Sequence, residues 1–381
     1  LRFAIPPLAS EYLNIVKNAN KPCVLHVVTK KGRGYPFAEN DVCGAWHGVE
    51  PFYVETGLPR RKKAENMLSW SNIVSDYLCR KAESDKEFQI VVPAMVNGSG
   101  LHLFQEMYPD RITDVGICES FAVGMASALA LRQGKVFVPI YSSFLQRAYD
   151  QVSHDACRQD LHVILGIDRA GLVEADGPTH QGVFDISYLS HIPNMEIVEP
   201  KDADESEVLL DYAFDVTKHP IAIRYPKADA IKHDPNVASQ PITKPSWTVS
   251  GEYGKIAVVS HGDMVCRLEK LAKKHDLNID IVNARFIKPI DEGTFAGLFE
   301  NEKPIIILED VAKIGGLGSI LAEKAIDMGL DASRLRIRAI PDVFPPIGTR
   351  DELEKEYGLD DESILSLIGE TIKETNESPE E

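Results

Sequence analysis

Short apolar runs alternating with amphipathic helical stretches constrain this chain more than any other feature of its sequence. From Ser69 onward a helical pattern over 72–81 is followed by strand-like runs at 89–92, 136–140, 163–167 and 221–224. Strands separated by helices build βαβ units and a mainly parallel sheet. A stretch rich in Pro, Ser and Thr at 233–250 reads as a linker, after which the alternation resumes with apolar runs at 255–260, 279–282 and 304–308 and helices near 264–275 and 319–328. This predicts a second α/β domain. Ahead of both, segment 1–62 offers one β-like run, Val24–Val28, a loop at Lys30–Gly34 and turn-rich sequence ending in the basic cluster Arg60–Lys63. It has too little apolar sequence for a core of its own. The expected division is therefore 1–62, 63–232 and 233–381, in keeping with 381 residues at ~150 per domain. The acidic tail after Ile372 is expected to fray.

Charge and cysteine usage narrow the function. With 41 basic and 58 acidic residues the net charge is −17, which repels nucleic acid and anionic membranes, so any phosphate site must be local. No run approaches the ~20 apolar residues of a spanning helix. The cysteines, Cys23, Cys43, Cys79, Cys118, Cys157 and Cys266, form no CxxC pair and no Cys/His ligand spacing. Reduced thiols in a cytoplasmic enzyme are expected, with no metal site in the chain. Because the chain opens at Leu1, just ahead of a helix-like stretch at 12–17, the natural protein is expected to extend upstream.

Several strings carry more specific information. They are Val27-Val28-Thr29-Lys30-Lys31-Gly32-Arg33-Gly34-Tyr35, the turn Trp46-His47-Gly48-Val49, Tyr141-Ser142-Ser143-Phe144-Leu145-Gln146-Arg147-Ala148-Tyr149-Asp150-Gln151, Asp168-Arg169-Ala170-Gly171 leading into Asp176-Gly177-Pro178-Thr179-His180-Gln181-Gly182, and Arg224-Tyr225-Pro226. Read together, they resemble the 1-deoxy-D-xylulose 5-phosphate synthase family of the thiamine-diphosphate-dependent transketolase superfamily. The resemblance covers nearly the whole chain. It implies the end of a diphosphate-binding domain, then a pyrimidine-binding parallel-sheet domain and a transketolase C-terminal α/β domain.

On composition alone Glu119 is a carboxylate at a helix start, where the helix dipole favours it. The resemblance assigns it a hydrogen bond to N1′ of the cofactor's aminopyrimidine, where a carboxylate must share a proton away from water. Two residues on, the family usually has His, and this chain has Phe121. Phe144 is either core or, by the resemblance, the ring that stacks on the aminopyrimidine. Tyr141 and Arg147 are implied to line the same pocket, Tyr141 towards the acceptor phosphate, and Lys31 is implied as a further cofactor contact. His47 and His180 are solvated loop residues or, by the resemblance, proton carriers near the donor and the thiazolium. Asp176 is a turn residue or a holder of acceptor hydroxyls. Arg169 and Arg224 fall at the carboxyl ends of expected strands, where open α/β sheets place ligands and a guanidinium can grip a phosphate.

Two glycine-rich stretches say less. Lys30–Gly34 lacks the phosphate-loop pattern, and Gly315-Gly316-Leu317-Gly318 lacks the full dinucleotide fingerprint, so packing of a helix on a strand is expected at the latter. The Gly-Asp-Gly segment followed by Asn, through which the superfamily holds Mg²⁺ and the cofactor diphosphate, is absent from the sequence. Metal ligands are thus expected outside this chain. The resemblance implies condensation of pyruvate with D-glyceraldehyde 3-phosphate to 1-deoxy-D-xylulose 5-phosphate and CO₂, feeding isoprenoid and thiamine synthesis, by a cytoplasmic or plastid homodimer. This chain alone is expected to be inactive. A transketolase-like paralogue with another donor and a non-catalytic partner subunit remain as alternatives.

Overall fold

A computed structural model of the chain describes residues 7–41, 46–49, 51–60, 64–233, 240–251 and 254–377. The chain forms two compact units, Leu1–Lys62 and Lys63–Glu381. In the first, a helix spans Pro7–Lys17 and a short one Pro36–Glu39. None of its described residues is buried, and its rings cluster partly exposed, with Tyr35 5.0 Å from Trp46 and Trp46 4.8 Å from Phe52. The strand expected at Val24–Val28 does not form: Val24 is 96% and Val28 82% exposed, and the stretch pairs with no neighbour among the described residues. A strand without a partner leaves its backbone to water. The Lys30–Gly34 loop is closed by Glu39, which accepts from Lys30 at 2.7 Å and from the Gly34 N–H at 2.7 Å.

Among its described residues the second unit holds fourteen strands, β1 Met67–Ser69, β2 Gln89–Val92, β3 Ile112–Asp114, β4 Val136–Tyr141, β5 Val163–Ala170, β6 Glu196–Val198, β7 Ile221–Pro226, β8 Asp229–Ile231, β9 Thr248–Ser250, β10 Ile256–Ser260, β11 Ile279–Asn283, β12 Phe286–Lys288, β13 Ile305–Ala312 and β14 Leu335–Ile340. One sheet runs β12-β6-β7-β5-β4-β2-β3 and is parallel except for its β12 edge; another runs β14-β13-β10-β11-β9, parallel except for β9. All six residues of β4 and of β7 are buried, as befits strands covered on both faces by helices. The two halves interlock, because β12, which lies in the stretch assigned to the C-terminal domain, pairs with β6 at the edge of the first sheet.

Two further stretches differ from expectation. The linker ends in a strand, since Thr248–Ser250 pairs antiparallel with β11. The tail does not fray at Ile372, because the final helix, Asp361–Glu377, continues past it: Thr371 is buried and accepts from Arg336 at 3.1 Å, which ties the last turns to β14.

Candidate active site

The site residues of the second unit lie at or just beyond the carboxyl ends of strands of the first sheet. In a parallel sheet this is where helix N-termini and loops converge on a ligand crevice. After β3 the chain turns at Gly116 and enters the helix Glu119–Gln133. Ala122, Val123, Ala126 and Ala130 give that helix a narrow buried face against the sheet. The first turn is thereby pinned, with Glu119 only 6% exposed where unpaired backbone N–H groups favour a carboxylate. Arg147 approaches it at 3.4 Å, and the Ser120 hydroxyl donates to the Arg147 carbonyl at 2.6 Å.

Beyond β4 the backbone turns straight into the short helix Ser142–Leu145. The turn stacks Phe144 on Tyr141 at 5.2 Å and sets His180 edge-on to Phe144 at 5.3 Å. The Arg169 guanidinium also lies over the Tyr141 ring, 3.8 Å from its centre. Arg169 has a positive φ of 57°, and the β5–β7 pairing slips between Asp168 and Ala170. This bulge turns the arginine out of the sheet and towards Tyr141. Asp168, wholly buried, pairs with Arg169 at 2.8 Å and accepts from Ser71 at 2.7 Å. Burial pushes the Asp168 carboxyl up. Burial works against the Arg169 charge too, yet Asp168 and Tyr141 raise its pKa. Three polar atoms in these strand-end segments are buried and unpartnered: Arg169 Nε, Ser143 Oγ and Ser99 Oγ.

The loop after β5 carries Asp176, which pairs with Lys227 at 2.7 Å, while Lys227 also donates to the Glu174 carbonyl at 3.1 Å. Sequence reasoning passed over Lys227, although it directly follows the Arg224-Tyr225-Pro226 string and sits at the end of β7. Arg224 itself is elsewhere. It has no exposed surface, donates to Asp185 at 2.8 and 3.0 Å through two nitrogens, and is paired through its third with Glu199. A side chain inside a strand covered on both faces is enclosed whichever way it points, and Arg224 lies inside β7. Contrary to expectation, Arg224 is thus held in a buried ion-pair cluster and has no free edge with which to grip a phosphate.

In the first unit, Lys31 and His47 meet at 2.9 Å between Nζ and Nδ1. The glycine-rich turn at 315–318 leads into a helix whose first N–H groups, at Leu317 and Gly318, donate to the Glu309 carboxylate at 2.7 and 2.9 Å. That helix start is thus filled by a carboxylate of the chain's own and serves packing. Among the described residues no group of three or more His, Cys, Asp or Glu stands close enough to hold a metal ion, and no helix is long and apolar enough to cross a membrane.

Comparisons with known proteins agree with this fold. Residues 66–231 match the transketolase pyrimidine-binding domain and residues 246–364 the transketolase C-terminal domain. The chain is 43% identical over 364 residues to a 1-deoxy-D-xylulose-5-phosphate synthase of Geobacillus sp. (strain WCH70), and 41% identical over 361 residues to that of Bacillus cereus (strain AH820). Each alignment takes in 94% of this chain and 57% of the relative, so the chain spans a little over half the length of these proteins. Among solved structures, a split-gene transketolase described as an inactive beta4 tetramer superposes with a TM-score of 0.69 at 20% identity over 80% of this chain and 99% of its own. A transketolase of Campylobacter jejuni gives 0.64 at 14% identity over 81% of this chain and 48% of its own. With both transketolase domains matched in order and 43% identity over 94% of its length, the chain belongs to the transketolase family.

Proposed function

We propose that this chain is the pyrimidine-binding and C-terminal part of a thiamine-diphosphate-dependent transferase that joins pyruvate to D-glyceraldehyde 3-phosphate, releasing CO₂ and forming 1-deoxy-D-xylulose 5-phosphate. The observation that carries this reading is the pairing of a nearly buried Glu119, in the first turn of its helix, with the Phe144–Tyr141–Arg169 stack at the neighbouring strand ends. The residues fit an aminopyrimidine: a carboxylate to hold a proton on a ring nitrogen, and an aromatic face to orient the ring. When bound, the cofactor supplies the electron sink for losing CO₂ and for making the new carbon–carbon bond.

The chain's own residues divide the rest. Glu119 holds and shares the proton at N1′, Phe144 and Arg147 orient the pyrimidine, and His180, edge-on to Phe144, donates to oxygen as charge develops there. Arg169, with its unpartnered Nε, and Lys227, released from Asp176, hold the acceptor phosphate, while Asp176 meets an acceptor hydroxyl. For His47 and Lys31, the roles towards the donor and the cofactor follow the family resemblance. Magnesium would be held with the diphosphate by ligands outside this chain. Ile117 and Phe121, 76% and 60% exposed on either side of Glu119, favour a second copy over the site and hence a homodimer. The division into 1–62, 63–232 and 233–381 belongs to the same proposal.

The test is cofactor activation in the catalytically complete protein. Glu119→Gln keeps the shape of the side chain but removes proton sharing, so C2 proton exchange on bound thiamine diphosphate should slow by ~10²–10⁴-fold with melting unchanged. Exchange at the wild-type rate would refute the assignment. The 381-residue chain alone is expected to bind thiamine diphosphate weakly and turn over neither substrate; micromolar binding by calorimetry with Mg²⁺-dependent turnover would overturn that expectation.

A further inference from the structure

The loop from Gly171 to Gly182, which carries Asp176 and His180, is closed on itself. Gly171 and Gly182 exchange both backbone hydrogen bonds at 2.9 Å. Gln181, 2% exposed, accepts from the Val173 N–H at 2.8 Å and donates to the Val173 carbonyl at 3.0 Å. The loop therefore keeps its own shape, and its position depends on what holds it from outside.

On one side Arg224 grips Asp185, three residues past the closure. On the other side Lys227, just past β7, holds Asp176 and the Glu174 carbonyl, and three further holders come from the C-terminal half. Asp310 accepts from the Leu172 N–H at 3.1 Å, the Gly348 carbonyl accepts from Ala175 at 3.2 Å, and the Pro346 carbonyl accepts from Gln181 at 3.2 Å. Asp310 can reach because the β13–β14 pairing slips between Leu308 and Ala312, which turns this side chain out of the ladder. The approach is so close that a Cβ on Gly171 would stand 2.0 Å from Asp310 Oδ2, and Gly171 also has a φ of +74°, so glycine is required there twice over.

We propose that Asp310 is a positioning residue for the acceptor side of the site: through Leu172 it fixes where the loop places Asp176 and His180, and the C-terminal half thereby sets acceptor affinity without touching substrate. The inference rests on the reading of that loop as acceptor-binding, but its geometry can be tested apart from activity. Amide hydrogen exchange is measured by mass spectrometry on the chain and on Asp310→Ala, Asp310→Asn and Gly171→Ala variants. Asp310→Ala and Gly171→Ala should speed exchange in 171–182 by ~10-fold or more, with β2 and β14 unchanged, whereas Asp310→Asn, which keeps an acceptor oxygen for the Leu172 N–H, should stay within ~3-fold of wild type. In the catalytically complete protein, Asp310→Ala should raise KM for the aldehyde ~10-fold, leave that for pyruvate within ~2-fold, and be rescued by Asn. An unchanged loop in Asp310→Ala, or exchange rising evenly across both sheets, would overturn the proposal. Absence of product from the wild-type complete protein would remove the acceptor reading and leave the exchange result to decide the joint.

Discussion

At the scale of single residues, similar side chains at the ends of neighbouring strands have opposite surroundings. Arg169 stands at a bulge, stacked on Tyr141 with one nitrogen unpartnered; Arg224 is sealed between Asp185 and Glu199. Removing one member of a buried ion pair strands its partners without compensation, which costs on the order of 3–5 kcal/mol. Arg224→Ala should therefore lower stability by about that amount in a urea melt, whichever aldehyde is later offered. Lys227→Ala should do the reverse: it leaves melting within ~0.5 kcal/mol, since its pair with Asp176 is partly exposed, but lowers kcat/KM for phosphorylated aldehyde ~30- to 1000-fold more than for the unphosphorylated one. Equal losses for both aldehydes would remove Lys227 from the phosphate site.

At the scale of elements, the helix starts show what separates a binding site from a packing device. Both Glu119–Gln133 and Leu317–Asp327 begin without a side-chain cap from the residue preceding them. In the second, Glu309 reaches across from β13 and takes two of the free N–H groups while almost wholly buried. In the first, the carboxylate is the helix's own Glu119, at the crevice. Glu309→Ala should lower stability by about 2–3 kcal/mol, because two charge-assisted bonds go and two buried N–H groups are left unpaired. Denaturant melts should show this as a shift in midpoint with no change in slope; a shift under ~0.5 kcal/mol would mean that water replaces the carboxylate freely.

At the scale of the whole second unit, the two sheets are joined by buried charge as well as by apolar packing. His261, at the end of β10, pairs with Glu199 at 2.7 Å, and Glu199 in turn holds Arg224. Burial opposes both charges, but Arg224 and His261 together hold the Glu199 carboxyl down to about 2, and Glu199 holds the His261 imidazole up to about 10. The signs fix the pH response. A histidine raised from its usual ~6.5 contributes stability that is fully present below that pH and is lost as pH rises through about 10; a lowered glutamate contributes above its usual ~4.5 and loses it as pH falls towards 2. Thermal melts of the wild type should thus fall off more steeply between pH 7 and 10 than those of His261→Gln, which starts lower at pH 7. Parallel alkaline limbs for the two proteins would show that His261 is neutral in the fold.

What the sequence determined by itself is whatever depends on local pattern. The β2, β4, β5, β7, β10 and β11 strands and the helices Trp70–Ser84 and Asp263–His275 lie where alternation and helical periodicity put them, because each buries a face whose period is written along the chain. The family resemblance marked Glu119, Phe144, Tyr141, Arg169 and His180, and the fold sets these side chains along one rim of contacting strand ends. The tertiary structure decided what depends on neighbours far away in sequence. Val24–Val28 has the composition of a strand but no edge to pair with; Phe286–Lys288 is too short to announce itself, yet becomes a strand because β6 offers one. Arg224 lies inside β7 and Lys227 just past its end, and only the packing around the strand tells which is enclosed by carboxylates and which reaches the loop. Hydrogen bonds and charge pairs are satisfied across folded distances, so a residue's chemistry is legible in sequence while its partners are not.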